Sequence, residues 1–227
     1  MQKYDYLLFD ADNTLFDFHA SETYALKKVL AGLGIDCNQG HIDNYRVINH
    51  TVWRDFENGK LKKKHLRSRR FDLFFQELGV NADVDRVARE YLEHLSQTAF
   101  LINGAERLLE KVSQNHILVL VTNGLKEVQR PRLNRSTIKH YFETVVVSDE
   151  IGHAKPDAAF FDYVFNEINY PDKSKVLMIG DNINADIRGG LDYGLDSCWY
   201  NPDDKPLEDG IHPTIIINDI TRLPKYL

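Results

Sequence analysis

Asp10 and Asp12 stand two residues apart in LLFDADNTLFD (7–17), directly behind a run of apolar residues. In extended backbone, residues i and i+2 project to the same side, so both carboxylates face one pocket. Like charges that close oppose each other's ionisation. A division of labour turns that conflict into chemistry. One carboxylate can attack phosphorus and form an acyl phosphate. A second carboxyl group, kept protonated, can give its proton to a departing alkoxide. On this reading Asp10 is the nucleophile, and Asp12 is the acid and then the base for the hydrolytic water.

Other reactive residues recur behind apolar runs. Thr122, Asn123 and Gly124 follow ILVLV, Lys155 lies in AKP beyond TVVV, and Asp181 and Asp186 follow KVLMI in GDNINAD. Thr122 and Asn123 are candidates for holding phosphate, with backbone N–H groups at the following helix start. Lys155 would balance charge on a transferring group, and Pro156 biases it toward extended backbone. Asp181 adds negative charge that needs a cation. Hard oxygen ligands with open positions suit Mg²⁺, which keeps waters and bridges to phosphate.

These residues need a scaffold that gathers them. YLLF (6–9), ILVLV (117–121), TVVV (144–147) and KVLMI (175–179) are short, aliphatic and without alternation. That is the pattern of strands buried on both faces of a parallel sheet. Ser197–Tyr200 and Thr214–Ile217 could add strands, and helical patterns cover Ala105–Val112, Pro156–Ile168 and Ala185–Tyr193. Strand and helix alternate, so the fold class is α/β, a Rossmann-like parallel sheet. Ligands of such sheets bind at the carboxyl ends of strands.

Between the first and second strands the alternation stops. Four amphipathic patterns follow in turn: Ala25, Leu26, Val29, Leu30 and Leu33; Ile42, Tyr45, Ile48, Val52 and Phe56; Arg67, Phe71, Phe74 and Leu78; and Val84, Val87, Tyr91 and Leu95. Gly34 is a C-terminal stop for the first. The expectation is an inserted helical bundle over 17–97, with 1–16 and 98–227 forming the α/β core. Pro131, inside the helical pattern near Gln129 and Arg132, should kink or end that helix.

DADNT, VTNG, the Lys of AKP and GDNINAD, in this order, resemble the four motifs of the haloacid dehalogenase (HAD) superfamily, and the insert resembles its C1-type cap. FDADNTLFDF, NHTVWRDFENG and GLDSCWYNPDDKP are similar to the pyrimidine 5′-nucleotidase subfamily, which hydrolyses nucleoside monophosphates. The resemblance implies Mg²⁺ bound by the Asp10 carboxylate, the Asp12 backbone carbonyl and Asp181. It places Asp186 behind them, holding Lys155 or a metal-bound water. Haloacid dehalogenases themselves lack the second aspartate, so Asp12 favours phosphoryl transfer. Asn49 and Trp53, about one helical turn apart, are candidate substrate contacts, with core packing as the alternative.

Each motif also has a plainer reading. DADNT could be an Asp-rich turn; a calcium loop is excluded because Leu15 stands where that loop needs Gly. VTNG could be a helix cap, Lys155 a surface lysine, and GDNINAD an acidic first turn favoured by the helix dipole. Their joint order at strand ends selects the catalytic reading. Two other functions compete. One is a phosphatase or mutase for a sugar phosphate. The other is a phospho-accepting module like receiver domains, against which the insert and the Asp10-x-Asp12 spacing argue.

A formal charge of −6 gives no reason to expect nucleic-acid binding. The basic run KLKKKHLRSRR (60–70) holds seven Lys or Arg, read as a solvated helix face. None of the nine histidines has HExxH spacing, and two cysteines without a CxxC pair fit a reduced cytoplasmic setting. The first apolar run is far too short for a signal peptide, and no window approaches the ~20 apolar residues of a membrane span. The expected partner is a small phosphorylated molecule. Oligomeric state is not legible.

Overall fold

The computed structural model of the chain describes residues 3–57 and 59–227. Met1 and Gln2, at the start of the expected core segment, lie outside them, as do Asn58 of NHTVWRDFENG and the side chains of Glu57, Lys63 and Lys64. Among the described residues six strands form one sheet: β1 (Tyr6–Phe9), β2 (Ile117–Thr122), β3 (Thr144–Val147), β4 (Val176–Gly180), β5 (Asp196–Tyr200) and β6 (Ile215–Ile217). Their order is β3-β2-β1-β4-β5-β6, and every neighbouring pair is parallel. The chain thus has the α/β, Rossmann-like class read from its apolar runs.

The lack of alternation in those runs has a direct cause. Leu7 and Phe9 pack into one layer with Leu118, Leu120, Leu177 and Ile179. Leu8 packs into the other, with Val119, Val121, Met178, Phe160 and Phe161. All three β1 residues are fully buried, and each such side chain contributes about 1.5–3 kcal/mol by leaving water. β2 and β3 lie to one side of β1, and β4 to β6 to the other. The carboxyl ends of β1 and β4 therefore border the switch point where open sheets bind ligands.

The chain divides into two compact units, Met1–Phe18 with Ala99–Leu227, and His19–Thr98. The second unit is helical: α1 (Phe18–Gly32), α2 (Gln39–Glu57), α3 (Lys63–Leu78) and α4 (Val84–Ser96). Gly34 ends α1 at φ +72°, where Gly34 N–H bonds Ala31 O at 3.0 Å and Ile35 N–H bonds Leu30 O at 2.9 Å, a glycine-dependent stop. Tyr45 joins three helices, with ring centroids 5.2 Å from Phe71, 5.4 Å from Phe74 and 5.5 Å from Tyr91. On α3 Phe71 and Phe74 are buried as expected, but Arg67 is exposed, whereas Leu66 and Arg70 are buried. Arg70 can be inside because Asn49 Oδ1 accepts from it at 3.0 Å and the Tyr91 ring lies 4.8 Å away. Lys60, Lys62, His65, Arg67 and Arg69 of the basic run are exposed.

The first unit adds α5 (Ala105–Val112), α6 (Lys126–Arg135), α7 (Ser148–Ile151), α8 (Ala158–Glu167) and α9 (Gly189–Tyr193). α6 runs through Pro131 and does not end there. The Lys155–Pro156 peptide is cis. The helix expected over Ala185–Tyr193 begins as a π-helical turn, Ile183–Arg188, before α9. Asn182 starts that turn by accepting from Asn184 N–H and Ala185 N–H, each at 3.0 Å. Cys37 and Cys198 are free thiols. Among the described residues, no helix is long and apolar enough to cross a membrane.

Candidate active site

β1 ends at Phe9, and Asp10 N–H continues its ladder by bonding Ile179 O at 2.9 Å. That bond places the Asp10 side chain at the β1–β4 crevice. Lys155, 145 residues away, reaches it: Nζ donates to Asp10 Oδ1 at 2.6 Å and to Val121 O at 2.9 Å. The same ammonium lies 2.7 Å from Asp186 Oδ1. Two of the three ammonium hydrogens are thus donated to Asp10 and Val121, Asp186 adds an opposite charge beside them, and Lys155 is only 1 % exposed.

Asn123 sets the height of that lysine. Its Oδ1 accepts from Lys155 N–H at 2.9 Å and its Nδ2 donates to Lys155 O at 2.8 Å. The side chain expected to hold phosphate is thus engaged with the Lys155 main chain. Thr122, buried at the end of β2, accepts from Gly124 N–H at 3.1 Å through Oγ1. Its hydroxyl hydrogen remains for another acceptor.

Asp181 and Asp186 enter from the end of β4. A Cβ at Gly180 would lie 2.6 Å from Asp186 Cβ, so glycine leaves room for that carboxylate. Asp186 Oδ2 accepts from Asn182 N–H at 3.1 Å. Asp181 is held at both its main chain and its side chain. Trp199 Nε1 donates to its carbonyl at 2.9 Å, and Thr14 Oγ1 lies 3.4 Å from its Oδ1.

Oxygens of Asp10, Asp181 and Asp186 all lie within 4.8 Å of one another. Three carboxylates share one lysine, leaving an excess of negative charge in a largely buried place. Burial pushes the Asp10 carboxyl up to about 7 despite Lys155. Burial, then Asp10 and Asp186, hold Asp181 well above the usual carboxylate range. Burial alone would discharge Lys155, but Asp10 and Asp186 outweigh it and keep the ammonium above its ordinary range. A hard dication fits this donor set, because it supplies the missing positive charge to oxygen ligands.

Asp12, near enough to Asp10 for its charge to help raise that carboxyl, is gripped from α6. Its Oδ2 accepts from Gln129 Nε2 and its Oδ1 from Arg132 Nη1, both at 2.5 Å. Neither α6 residue was singled out as functional in the sequence; the signals present were their i, i+3 spacing and the odd proline between them.

Residues 4–194 match the model of the haloacid dehalogenase-like hydrolase family. The chain belongs to that family. Relatives agree over nearly its full length. The HAD-hydrolase YfnB of Bacillus subtilis is 37 % identical across 98 % of this chain and 95 % of its own. A crystal structure of YfnB bound to magnesium superposes with a TM-score of 0.95 at 36 % identity, covering 99 % of both chains. Pyrimidine 5′-nucleotidase PynA of Streptococcus pneumoniae is 38 % identical, covering 88 % of this chain and 84 % of its own. Pyrimidine 5′-nucleotidase YjjG of Escherichia coli is 31 % identical, covering 99 % and 98 %. This hydrolase is an enzyme of the phosphatase class.

In the hydrolase's helical unit, Asn49 is buried and its amide is engaged at both ends. Nδ2 donates to Glu22 Oε1 at 2.8 Å, while Oδ1 accepts from Arg70. Burial raises the Glu22 carboxyl, against the pull of Asn49, Arg46 and Arg70. Trp53 is partly exposed and lies edge-on to Phe56 at 6.0 Å.

Proposed function

We propose that the chain is a Mg²⁺-dependent phosphatase of pyrimidine nucleoside 5′-monophosphates that works through a phosphorylated Asp10. The observation that carries this reading is the buried cluster of Asp10, Lys155, Asp181 and Asp186 at the switch point of a parallel sheet. The named activity of two relatives above 30 % identity supports the substrate class. The helical unit is proposed as a C1-type cap, with the partly exposed Trp53 as its substrate-side residue; Asn49, buried between Glu22 and Arg70, fits the packing alternative instead.

Asp10 and Asp181, with the Asp12 backbone carbonyl, would hold Mg²⁺, and Asp186 would support Lys155 behind them. Bound there, the cation offsets the charge of the carboxylates and of the incoming phosphate. In the first step an Asp10 oxygen bonds to phosphorus, the bond to the nucleoside oxygen breaks, and that oxygen takes the Asp12 proton. Asp12 is left as a carboxylate. In the second step water bonds to phosphorus, gives a proton to Asp12, and displaces the Asp10 oxygen. Inorganic phosphate leaves, with both aspartates restored. Lys155 keeps Asp10 in place and balances negative charge on the transferring group, and the Thr122 hydroxyl donates to a phosphate oxygen.

Purified protein with UMP, dUMP, dTMP, purine nucleotides and sugar phosphates tests this. Phosphate release from the pyrimidine nucleotides is expected to exceed that from sugar phosphates by at least about tenfold in kcat/KM. Chelation with EDTA is expected to lower it by at least about a hundredfold. Turnover of sugar phosphates without turnover of the pyrimidine nucleotides overturns the substrate assignment.

A further inference from the structure

Gln129 and Arg132 leave one face of α6 and end on the two oxygens of a single carboxylate, more than a hundred residues back in the chain. Arg132 is fully buried, and its guanidinium lies 4.8 Å from the Phe16 ring centroid. Its Nε and Nη2 have no hydrogen-bond partner among the described residues. Burying a guanidinium with a single carboxylate partner is costly, and stability alone gives no reason to keep it. Gln129 is 4 % exposed. A Cβ at Gly124 would lie 2.7 Å from Gln129 Cγ and 2.8 Å from its Cδ. The glycine of VTNG therefore leaves the lane along which the glutamine reaches Asp12.

We propose that Gln129 and Arg132 are positioning residues for the acid–base step, fixing the plane of the Asp12 carboxylate by one lone pair on each oxygen. A carboxylate oxygen has a second lone pair. The clamp thus leaves Asp12 a site for the proton of the attacking water, while preventing the rotation that would aim it elsewhere. As that proton reaches Asp12, the water oxygen bonds to phosphorus and the bond from phosphorus to Asp10 breaks. Misplacing a general base by a fraction of its hydrogen-bond length is enough to slow such a step. The inference rests on the phosphatase mechanism above and adds the residues that aim its base.

The test combines Gln129→Met, which keeps length and removes the donor, with Asp12→Asn. In the wild-type background Gln129→Met is expected to lower kcat on UMP with Mg²⁺ by roughly tenfold to a hundredfold, with KM within about twofold. Acid quenching in the steady state should trap a larger fraction of enzyme as phosphoprotein. In the Asp12→Asn background the same change should alter kcat by less than about twofold, because the group being aimed is gone. Equal losses in both backgrounds, or none in the wild type, overturn the proposal. Arg132→Lys, which keeps the charge but shortens the reach, is measured in the same cycle should Gln129→Met not fold. A wild-type enzyme that releases no phosphate removes the mechanism itself. An active wild type, a dead Asp10→Asn and an additive Gln129→Met remove only the clamp.

Discussion

Asp10→Asn is expected to lower Mg²⁺-dependent phosphate release by at least about 10⁴-fold while leaving the fold intact. The amide has the shape of the carboxylate but no electron pair basic enough to attack phosphorus. Asp10 is 7 % exposed and lies against Asp186 and Asp181 with one lysine to share. Removing its charge therefore relieves like-charge repulsion, so the thermal midpoint without metal should hold or rise. Lys155 keeps Asp186 at 2.7 Å and Val121 O at 2.9 Å, so the ammonium is not orphaned. Phosphate release and thermal unfolding measured on one preparation separate the chemical loss from misfolding. Activity within tenfold of wild type would remove Asp10 as the nucleophile.

Lys155→Met has the opposite balance, with a large loss of stability as well as of activity. Among the described residues, Lys155 is the buried cation between Asp10 and Asp186. Taking one partner from a buried ion pair typically costs about 3–5 kcal/mol. For a chain of this size that corresponds to a fall of roughly 6–20 °C in Tm. Calorimetry in metal-free buffer measures it. Mg²⁺ should then restore more of the midpoint in the variant than it adds to the wild type, because the dication takes over neutralisation that lysine performed. Phosphate release should stay at least about a thousandfold down, since the ion does not replace the lysine that holds Asp10 in place and balances charge beside it. An unchanged midpoint without metal would mean the three carboxylates do not share a charge deficit.

The parts of the molecule that were legible in the sequence are those set by local pattern. YLLF and TVVV are the strands β1 and β3 residue for residue. Both faces of β1 are buried, as are the last two residues of the edge strand β3, which makes the runs continuous and short. Gly34 could be read as a stop because a φ of +72° favours glycine. The reactive aspartates and Lys155 could be placed because residues behind parallel strands share one end of the sheet. Contacts made by side chains across long stretches of chain were not legible. Gln129 and Arg132 meet Asp12 at separations of 117 and 120 residues, and no periodicity encodes that. Arg70, not Arg67, is the buried arginine of α3; four-residue spacing links Arg67 to Phe71 and Arg70 to Phe74 alike, so periodicity does not choose between them. What admits Arg70 is Asn49 Oδ1 and the Tyr91 ring, on two other helices. A residue behind a strand is expected to face phosphate, yet the Asn123 amide pairs with the Lys155 backbone. The π-helical turn at Ile183–Arg188 begins at the Asn182 cap, and residue type alone does not specify its winding.

The measurement closest to the central claim is a crystal structure of the enzyme with Mg²⁺ and beryllofluoride, a mimic of the phosphoryl group. The account predicts beryllium bonded to an Asp10 oxygen, with Mg²⁺ coordinated by Asp10 and Asp181 and with Lys155 still reaching the cluster. Beryllofluoride bound at any other side chain, or Mg²⁺ seated away from Asp10 and Asp181, would contradict it.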